Sequence, residues 1–121
     1  MFTLTAGNFG VVEAKVHPDP QATDDCNALG AVRAARWVLE KPVDAANTAM
    51  LLNTQHLGFG VRMVGNVVQM RGEIQWQEGD EFWGGGVVLT GDDSFVMGLT
   101  YVLNNSAGFC RSDLAVTFRH R

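Results

Sequence analysis

The feature that most constrains the fold is a strict alternation of apolar side chains close to the C-terminus. Every second position over nine residues is apolar, at Phe95, Met97, Leu99, Tyr101 and Leu103. Successive side chains of a β-strand point to opposite faces of the sheet, whereas a helix repeats after about three or four residues. The period of two therefore predicts a strand with one buried face.

The sequence from Phe59 to the C-terminus predicts further strands separated by turns. The candidate turns lie at residues 78–81, 91–93 and 104–108. The pair Gly65-Asn66 indicates either a tight turn or a bulge in one long strand. Three consecutive glycines, Gly84 to Gly86, allow sharp curvature or a close neighbour in their strand. We therefore expect an antiparallel meander over the second half of the chain.

The first half of the chain mixes strand and helix patterns. Val12, Ala14 and Val16 alternate with polar residues, which predicts a strand from Phe9 to His17. A weaker helical pattern runs from Asp44 to Leu57 and ends at a glycine. The N-terminal half is therefore expected to contribute one strand and more than one helix.

The strongest helical pattern runs from about Asp24 to Lys41. Its small and apolar residues fall on one stripe at helical spacing, namely Ala28, Val32, Ala35 and Leu39. Gly30 lowers helix stability, which indicates close approach by another backbone or by a ligand. Trp37 falls opposite the stripe, so we expect it at a second contact surface. The pattern predicts one long helix covered by a curved sheet.

Length and charge restrict the possible classes of protein. The chain has 121 residues, so residues 1–121 are expected to form a single domain. The formal net charge is −4, and surfaces that bind phosphate backbones are usually basic, so no nucleic-acid partner is expected. No apolar run reaches the roughly 18 residues that a membrane helix needs. We therefore expect no association with a membrane.

Cysteine and histidine are too scattered to indicate a metal site or a cofactor site. Cys26 and Cys110 belong to no CxxC motif, so two free and mostly buried thiols are expected, with a disulfide as the alternative. His17, His56 and His120 are isolated from one another, and no metal or nucleotide motif is present, so neither a metal nor a cofactor is expected. The first residues lack the features of a secretory signal. Together these features predict a cytoplasmic location.

The order of turns in the C-terminal half is similar to that of a known family. Gly79-Asp80, Ser94-Phe95 and Gly108 lie at three successive turns of the stretch that begins GDEFWGGG. In this pattern the chain resembles the C-terminal half of hotdog-fold acyl-CoA thioesterases of the 4-hydroxybenzoyl-CoA thioesterase family. The resemblance implies an α+β hotdog fold, in which a curved antiparallel sheet wraps around one long central helix.

The front half aligns with the catalytic loop of the same family. In VHPDPQATDDCNALGA, Asp19 lies on the family's first aspartate, Gln21 on its second and Asn27 on its first asparagine. In one branch of the family the second aspartate is the catalytic carboxylate. Gln21 departs from that pattern, because an amide acts neither as a base nor as a nucleophile.

The resemblance implies a candidate catalytic site at the start of the long predicted helix. Backbone N–H groups near Asn27 and Ala28 would polarise the thioester carbonyl, with the helix dipole assisting. The candidate catalytic residues are Asp19, Asp24 and Asp25, one of which would activate water. For Asp24 and Asp25 the alternative is a helix-capping role.

Four residues complete the site as candidate substrate contacts, namely Gln21, Asn27, Ala28 and Ser94. Ser94 belongs to the Ser-Phe turn, where it either contacts the substrate or shapes the turn. Asn27 either orients a water molecule or lies on the first helical turn without a role in the site. These alternatives stay open at the level of sequence.

The functional prediction is hydrolysis of an acyl-CoA or acyl-carrier-protein thioester at a subunit interface. It implies a homodimer or homotetramer, which a Trp37 outside the core would favour. Because Gln21 replaces the catalytic carboxylate, the alternative is a non-catalytic hotdog module for ligand binding or assembly. A third hypothesis is a small-molecule binder with a curved sheet and a different fold.

Overall fold

The protein folds as one antiparallel sheet with a short helix against it. The computed structural model describes residues 3–17, 27–66, 69–106 and 108–121. Within these residues, the helix is α1 (Ala28–Ala34), and the strands are β1 (Gly7–His17), β2 (Trp37–Leu39), β3 (Ala49–Asn53), β4 (Gly58–Arg62), β5 (Val64–Asn66), β6 (Gln69–Glu78), β7 (Glu81–Leu89), β8 (Ser94–Asn105) and β9 (Gly108–His120). Their spatial order is β4-β3-β2-β1-β9-β8-β7-β6-β5.

The sheet curves until its two ends meet, which makes it nearly closed and barrel-like. β4 and β5 are separated by Met63 alone, so one continuous segment pairs with β3 on one side and with β6 on the other. β4 also contacts β6 directly. A Cβ at Gly72 of β6 would overlap Val61, so glycine is what allows this approach. Closure leaves few unpaired edges.

The interior of the sheet holds one apolar core. Phe95, Met97, Leu99 and Tyr101 of β8 are buried, which confirms the predicted alternation. On β9 the buried positions also alternate, at Cys110, Ser112, Leu114, Val116 and Phe118. The rings of Phe95 and Phe118 stack with centroids 4.7 Å apart. The two longest strands therefore supply one continuous wall of the core.

The predicted hotdog architecture is wrong, because no long central helix exists in the described residues. α1 has seven residues, and the chain becomes extended at Ala35. Trp37 and Leu39, two positions apart, are then buried at 2% and 1% exposure, as expected for a strand. Leu39 fits both a helical stripe and this alternation. The helical spacing therefore predicts a helix that continues past the observed end of α1 at Ala34. The part of the predicted helix before Asn27 lies outside the described residues.

The second predicted helix, from Asp44 to Leu57, is also wrong. Oδ1 of Asp44 accepts the backbone N–H groups of Ala46 and Asn47 at 2.8 Å, which forms a local turn in place of a helical one. β3 follows, and its buried residues Met50 and Leu52 are two positions apart. The mixed apolar pattern of this segment belongs to a short strand and its turns.

Most of the predicted strands and turns are confirmed, with two adjustments. β1 covers the predicted segment, but a register shift between Val11 and Glu13 leaves Val12 57% exposed. Gly65-Asn66 lies within β5, and Asn66 pairs with Gln69 of the antiparallel strand β6. β6 pairs with β7, β7 with β8 and β8 with β9, so these four strands form the predicted meander.

The cysteine prediction needs a correction. Cys110 is disulfide-bonded and the described residues contain no free cysteine, so the expectation of free thiols is wrong for this residue. Cys26, the other cysteine of the chain, lies outside the described residues. In the described part of the chain, no helix has the length and apolar character of a membrane-spanning segment.

Candidate functional site

The residues around α1 enclose an apolar pocket of about 270 Å³. α1, β2, the β3–β4 turn and the start of β7 each contribute to its walls. The lining residues are Ala31, Val32, Ala35, Trp37, Thr54, His56, Leu57, Glu81 and Trp83. Four of these nine residues are aliphatic and two are tryptophans, whereas Thr54, His56 and Glu81 carry polar groups at the ends of their side chains. Concave apolar pockets of this kind are the usual sites for small organic ligands.

Two tryptophans form the aromatic part of the pocket. The indole N–H of Trp37 donates to the carbonyl of Val32 at 3.0 Å, and that of Trp83 donates to Oε1 of Glu81 at 2.9 Å. Each of the two indole N–H groups therefore already has a hydrogen-bond acceptor within the protein. The two side chains are 2% and 4% exposed, so each presents only a small area of ring carbon to the pocket, and that area favours apolar and aromatic contacts.

Aromatic contacts hold the ring of Trp37 in position. It stacks on Phe59 with centroids 6.1 Å apart and meets Phe118 edge-on at 5.0 Å. These partners come from β4 and β9, so the core itself orients the pocket wall. The position of Trp37 opposite the predicted helical stripe led us to expect it at a second contact surface, but it is buried at 2% exposure. That expectation is wrong because Trp37 lies on a strand.

The β3–β4 turn brings polar groups to the pocket. Oγ1 of Thr54 accepts the backbone N–H groups of His56 and Leu57 at 3.2 and 2.9 Å, which fixes the turn. The imidazole of His56 is exposed and makes no hydrogen bond within the described residues. It is therefore available, together with the carboxylate of Glu81, to the polar end of a ligand.

Tyr101 contacts the pocket wall without lining the pocket. Its ring lies 4.5 Å from that of Trp83, centroid to centroid. Burial raises the pKa of the Tyr101 phenol, and the negative charge of Glu81 raises it further. The phenol is therefore neutral across the physiological range, and the aromatic cluster carries no added charge. Among the described residues, no group of His, Cys, Asp and Glu could hold a metal ion.

All three candidate catalytic residues and the candidate substrate contact Gln21 fall in the part of the chain that the structure does not describe. Asp19, Gln21, Asp24 and Asp25 lie outside the described residues, so their roles stay predictions. Asn27 precedes α1 in a left-handed conformation with φ of 54°.

The structure gives the surroundings of three other residues for which the sequence makes predictions, namely Gly30, Ala28 and Ser94. Gly30 is approached by the side chain of Asn27 and not, as predicted, by another backbone or a ligand: a Cβ at Gly30 would lie 2.6 Å from Oδ1 of Asn27. Ala28 is buried in the core. Ser94 shares a hydrogen bond with Thr90 between their hydroxyl oxygens at 2.7 Å, and it does not line the pocket.

The pocket residues themselves were missed at the level of sequence. His56, Leu57, Glu81 and Trp83 lie on segments with no local motif, and only the register of the sheet brings them to α1. For Trp37 the sequence predicts a second contact surface, not the wall of a pocket.

The fold and the pocket together describe a nearly closed antiparallel sheet with a short helix beside an apolar cavity. No protein-family model, curated protein or solved structure matches the chain. The resemblance to hotdog thioesterases therefore has no related protein to support it. The fold that it implied is absent.

Proposed function

We propose that this protein binds a small, largely apolar ligand that contains a ring. The observation that carries the proposal is the pair of tryptophans in one pocket, each with its indole N–H already bonded within the protein. Such a wall offers no unmet hydrogen-bond donor from either indole. It gains free energy by covering apolar surface, which a flat or compact apolar ligand provides.

The size and polarity of the pocket narrow the class of ligand. Its volume of about 270 Å³ lies slightly below the range of about 300–1,000 Å³ that is common for drug-sized ligands. A molecule with one or two rings suits that space. His56 and Glu81 would bind a hydroxyl or another neutral polar group and so orient the ligand.

A pocket-filling variant tests this proposal. Ala31 lines the pocket and is exposed, so Ala31→Trp should occupy it without disturbing the core. Ala34→Trp places the same side chain on an exposed position of α1 that does not line the pocket. Titration calorimetry with indole and 1-naphthol measures the affinity of each variant.

We expect saturable binding to the parent and to Ala34→Trp, and a loss of at least about tenfold in Ala31→Trp, which corresponds to about 1.4 kcal/mol. Equal affinity in all three proteins would contradict the proposal. The absence of binding to the parent across a panel of neutral one-ring and two-ring compounds would also contradict it.

Thioester hydrolysis remains a separate prediction. It depends on Asp19, Asp24 and Asp25, and the described residues supply no support for it. An assay with acyl-CoA and acyl-carrier-protein substrates tests it, and neutralising the working aspartate to Asn should lower turnover by about 100–10,000-fold. The predicted homodimer or homotetramer also stays a prediction, but burial of Trp37 removes the sequence argument for it.

The cytoplasmic location likewise stays a prediction. The disulfide at Cys110 weighs against it, because disulfides are rare in reducing compartments. The chain has two cysteines, so an intrachain bridge requires Cys26. Mass spectrometry of peptides from the unreduced protein identifies the partner.

A further inference from the structure

A second cavity beside α1 has a cationic lining. Its volume is about 440 Å³, and Arg33, Arg36 and Arg121 line it. It shares Ala35 with the apolar pocket, but neither tryptophan of that pocket lines it. The two cavities are therefore chemically different, and the second is not used by the proposed function.

Local contacts position two of the arginines. Nη2 of Arg33 donates to the carbonyl of Ala14 at 3.5 Å, which ties this side chain of α1 to β1. The backbone N–H of Arg36 donates to Oε1 of Gln55 at 2.7 Å, which fixes the segment that leaves the helix. The guanidinium group of Arg33 and the backbone of Arg36 are therefore both held beside the cavity.

Arg121 reaches the same cavity from the C-terminal end of the sheet. Its backbone N–H donates to the carbonyl of Asn8 at 2.9 Å. A Cβ at Gly10 would lie 2.6 Å from Nε of Arg121, so the arginine lies across β1 where glycine leaves room for it. A side chain at position 10 would displace the guanidinium from this place.

No carboxylate neutralises this cluster in the described part of the chain. The ion pairs there join Lys15 to Glu13 and Arg111 to Asp113, and the three cavity arginines take part in neither. The chain has nine Lys and Arg residues and a net charge of −4, so three arginines in one cavity are a strong local concentration of positive charge. An anion in this cavity would be attracted by three positive side chains that line it.

We propose that this cavity binds the phosphate group of a small phosphate monoester. Guanidinium groups remain charged and present paired N–H donors that match phosphate oxygens. A dianionic phosphate can accept hydrogen bonds from three such groups, whereas a carboxylate offers one charge and two oxygens. The cavity is also larger than one phosphate, which leaves room for the organic part of the molecule.

Binding is tested with inorganic phosphate, phenyl phosphate and acetate by titration calorimetry on the full chain. The variants are Arg36→Gln and Arg121→Gln, whose side chains are exposed, so the fold should persist. Arg62→Gln is the matched control, because it makes the same charge change at an exposed position of β4 outside the cavity. Vesicles with and without phosphatidic acid distinguish a free monoester from a lipid headgroup.

We expect phenyl phosphate to bind more tightly than acetate, and its affinity to fall as salt is raised. Each cavity variant should lose about tenfold to a hundredfold in affinity, the usual effect of removing a charge-assisted hydrogen bond, while Arg62→Gln retains the affinity of the parent. Vesicle binding that depends on both phosphatidic acid and the cavity arginines would assign the phosphate to a lipid.

The proposal is overturned if phenyl phosphate shows no saturable binding to the parent. It is also overturned if Arg36→Gln, Arg121→Gln and Arg62→Gln weaken binding equally, because that result reports net charge alone. The apolar pocket is tested independently, since neither Arg36 nor Arg121 lines it and neutral probes such as 1-naphthol carry no phosphate.

Discussion

The two regions of the sheet are built in different ways. β6, β7, β8 and β9 contain 10, 9, 12 and 13 residues, and short turns join them in sequence order. β2, β3 and β4 contain 3, 5 and 5 residues and are joined by segments with irregular hydrogen bonding. The first region forms long hairpins, and the second is a set of short strands beside a helix.

This difference shows how much local information each region carries. A long strand repeats its buried alternation many times, so its secondary structure is evident from neighbouring residues. β2 has room for one repeat, and Trp37 depends on Phe118 of a distant strand for its place. The short-strand region is therefore decided by contacts that are remote in sequence.

The largest expected effect is at Trp37, in the short-strand region. Trp37→Ala should lower the free energy of unfolding by about 3–5 kcal/mol, because it removes a buried aromatic side chain that contacts Phe59 and Phe118. Urea denaturation measures the change. Trp76→Ala is the control, since Trp76 is only half-buried and should cost less. If Trp76→Ala were the more damaging of the two, Trp37 would not anchor this region.

The second effect concerns the long hairpins, where Gly85 is the critical position. Its φ is 141°, and a Cβ there would overlap the carbonyl oxygen of Gly98 on β8. Gly85→Ala should therefore cost about 2–4 kcal/mol, from backbone strain and displacement of the neighbouring strand.

Gly98→Ala is the matched control for this substitution. A Cβ at Gly98 meets no atom within 4 Å, so the variant should remain close to the parent in stability. Denaturation of both variants under the same conditions separates the effect of close approach from loss of a glycine. Equal stability of the two variants would show that β7 and β8 can move apart without cost.

The smallest expected effect is a shift in the pKa of Tyr101, which lies where the long hairpins contact the pocket. Tyr101 is the chain's one tyrosine, so the ultraviolet absorbance of tyrosinate reports it alone. Its pKa is raised above 10.0, by burial first and by Glu81 second. The contribution of the neutral Tyr101 phenol to the free energy of unfolding is therefore fully present below about pH 10, the pKa of tyrosine in the unfolded chain. It is lost as the pH rises from there through the higher pKa of the folded protein.

Glu81→Gln should lower the midpoint of this titration toward 10.0, because the nearby negative charge is removed. Glutamine can still accept the indole N–H of Trp83, so the pocket should persist. Glu78→Gln removes an exposed charge from the same hairpin and should leave the midpoint unchanged. A midpoint insensitive to Glu81→Gln would leave burial as the sole cause of the raised pKa.

The predictions from sequence were confirmed where the pattern that carries them lies within one short segment of the chain. The alternation from Phe95 to Tyr101 and the close approach at Gly85 are both visible in short stretches and both confirmed. The long helix failed because Leu39 satisfies a helical stripe and a strand alternation equally well. Only the position of Trp37 in the core decides between them.

The two candidate sites were less predictable than the fold. Trp37 and Trp83 belong to strands that are not adjacent in the sheet, and no sequence spacing relates them. Arg36 and Arg121 line the same cavity because β1 pairs with both β2 and β9. A motif search finds neither site, since each is assembled from single residues of separate elements.

The sequence by itself determined an antiparallel meander over the second half of the chain, because the alternation and turn residues act between near neighbours. It also indicated that the run from Gly84 to Gly86 permits a close neighbour, which Gly85 has. Tertiary structure alone decided that the sheet curves until β4 meets β6 and that the chain leaves its helix at Ala35. The physical reason is that burial of a short segment is settled by the surface it packs against, and that surface comes from distant strands.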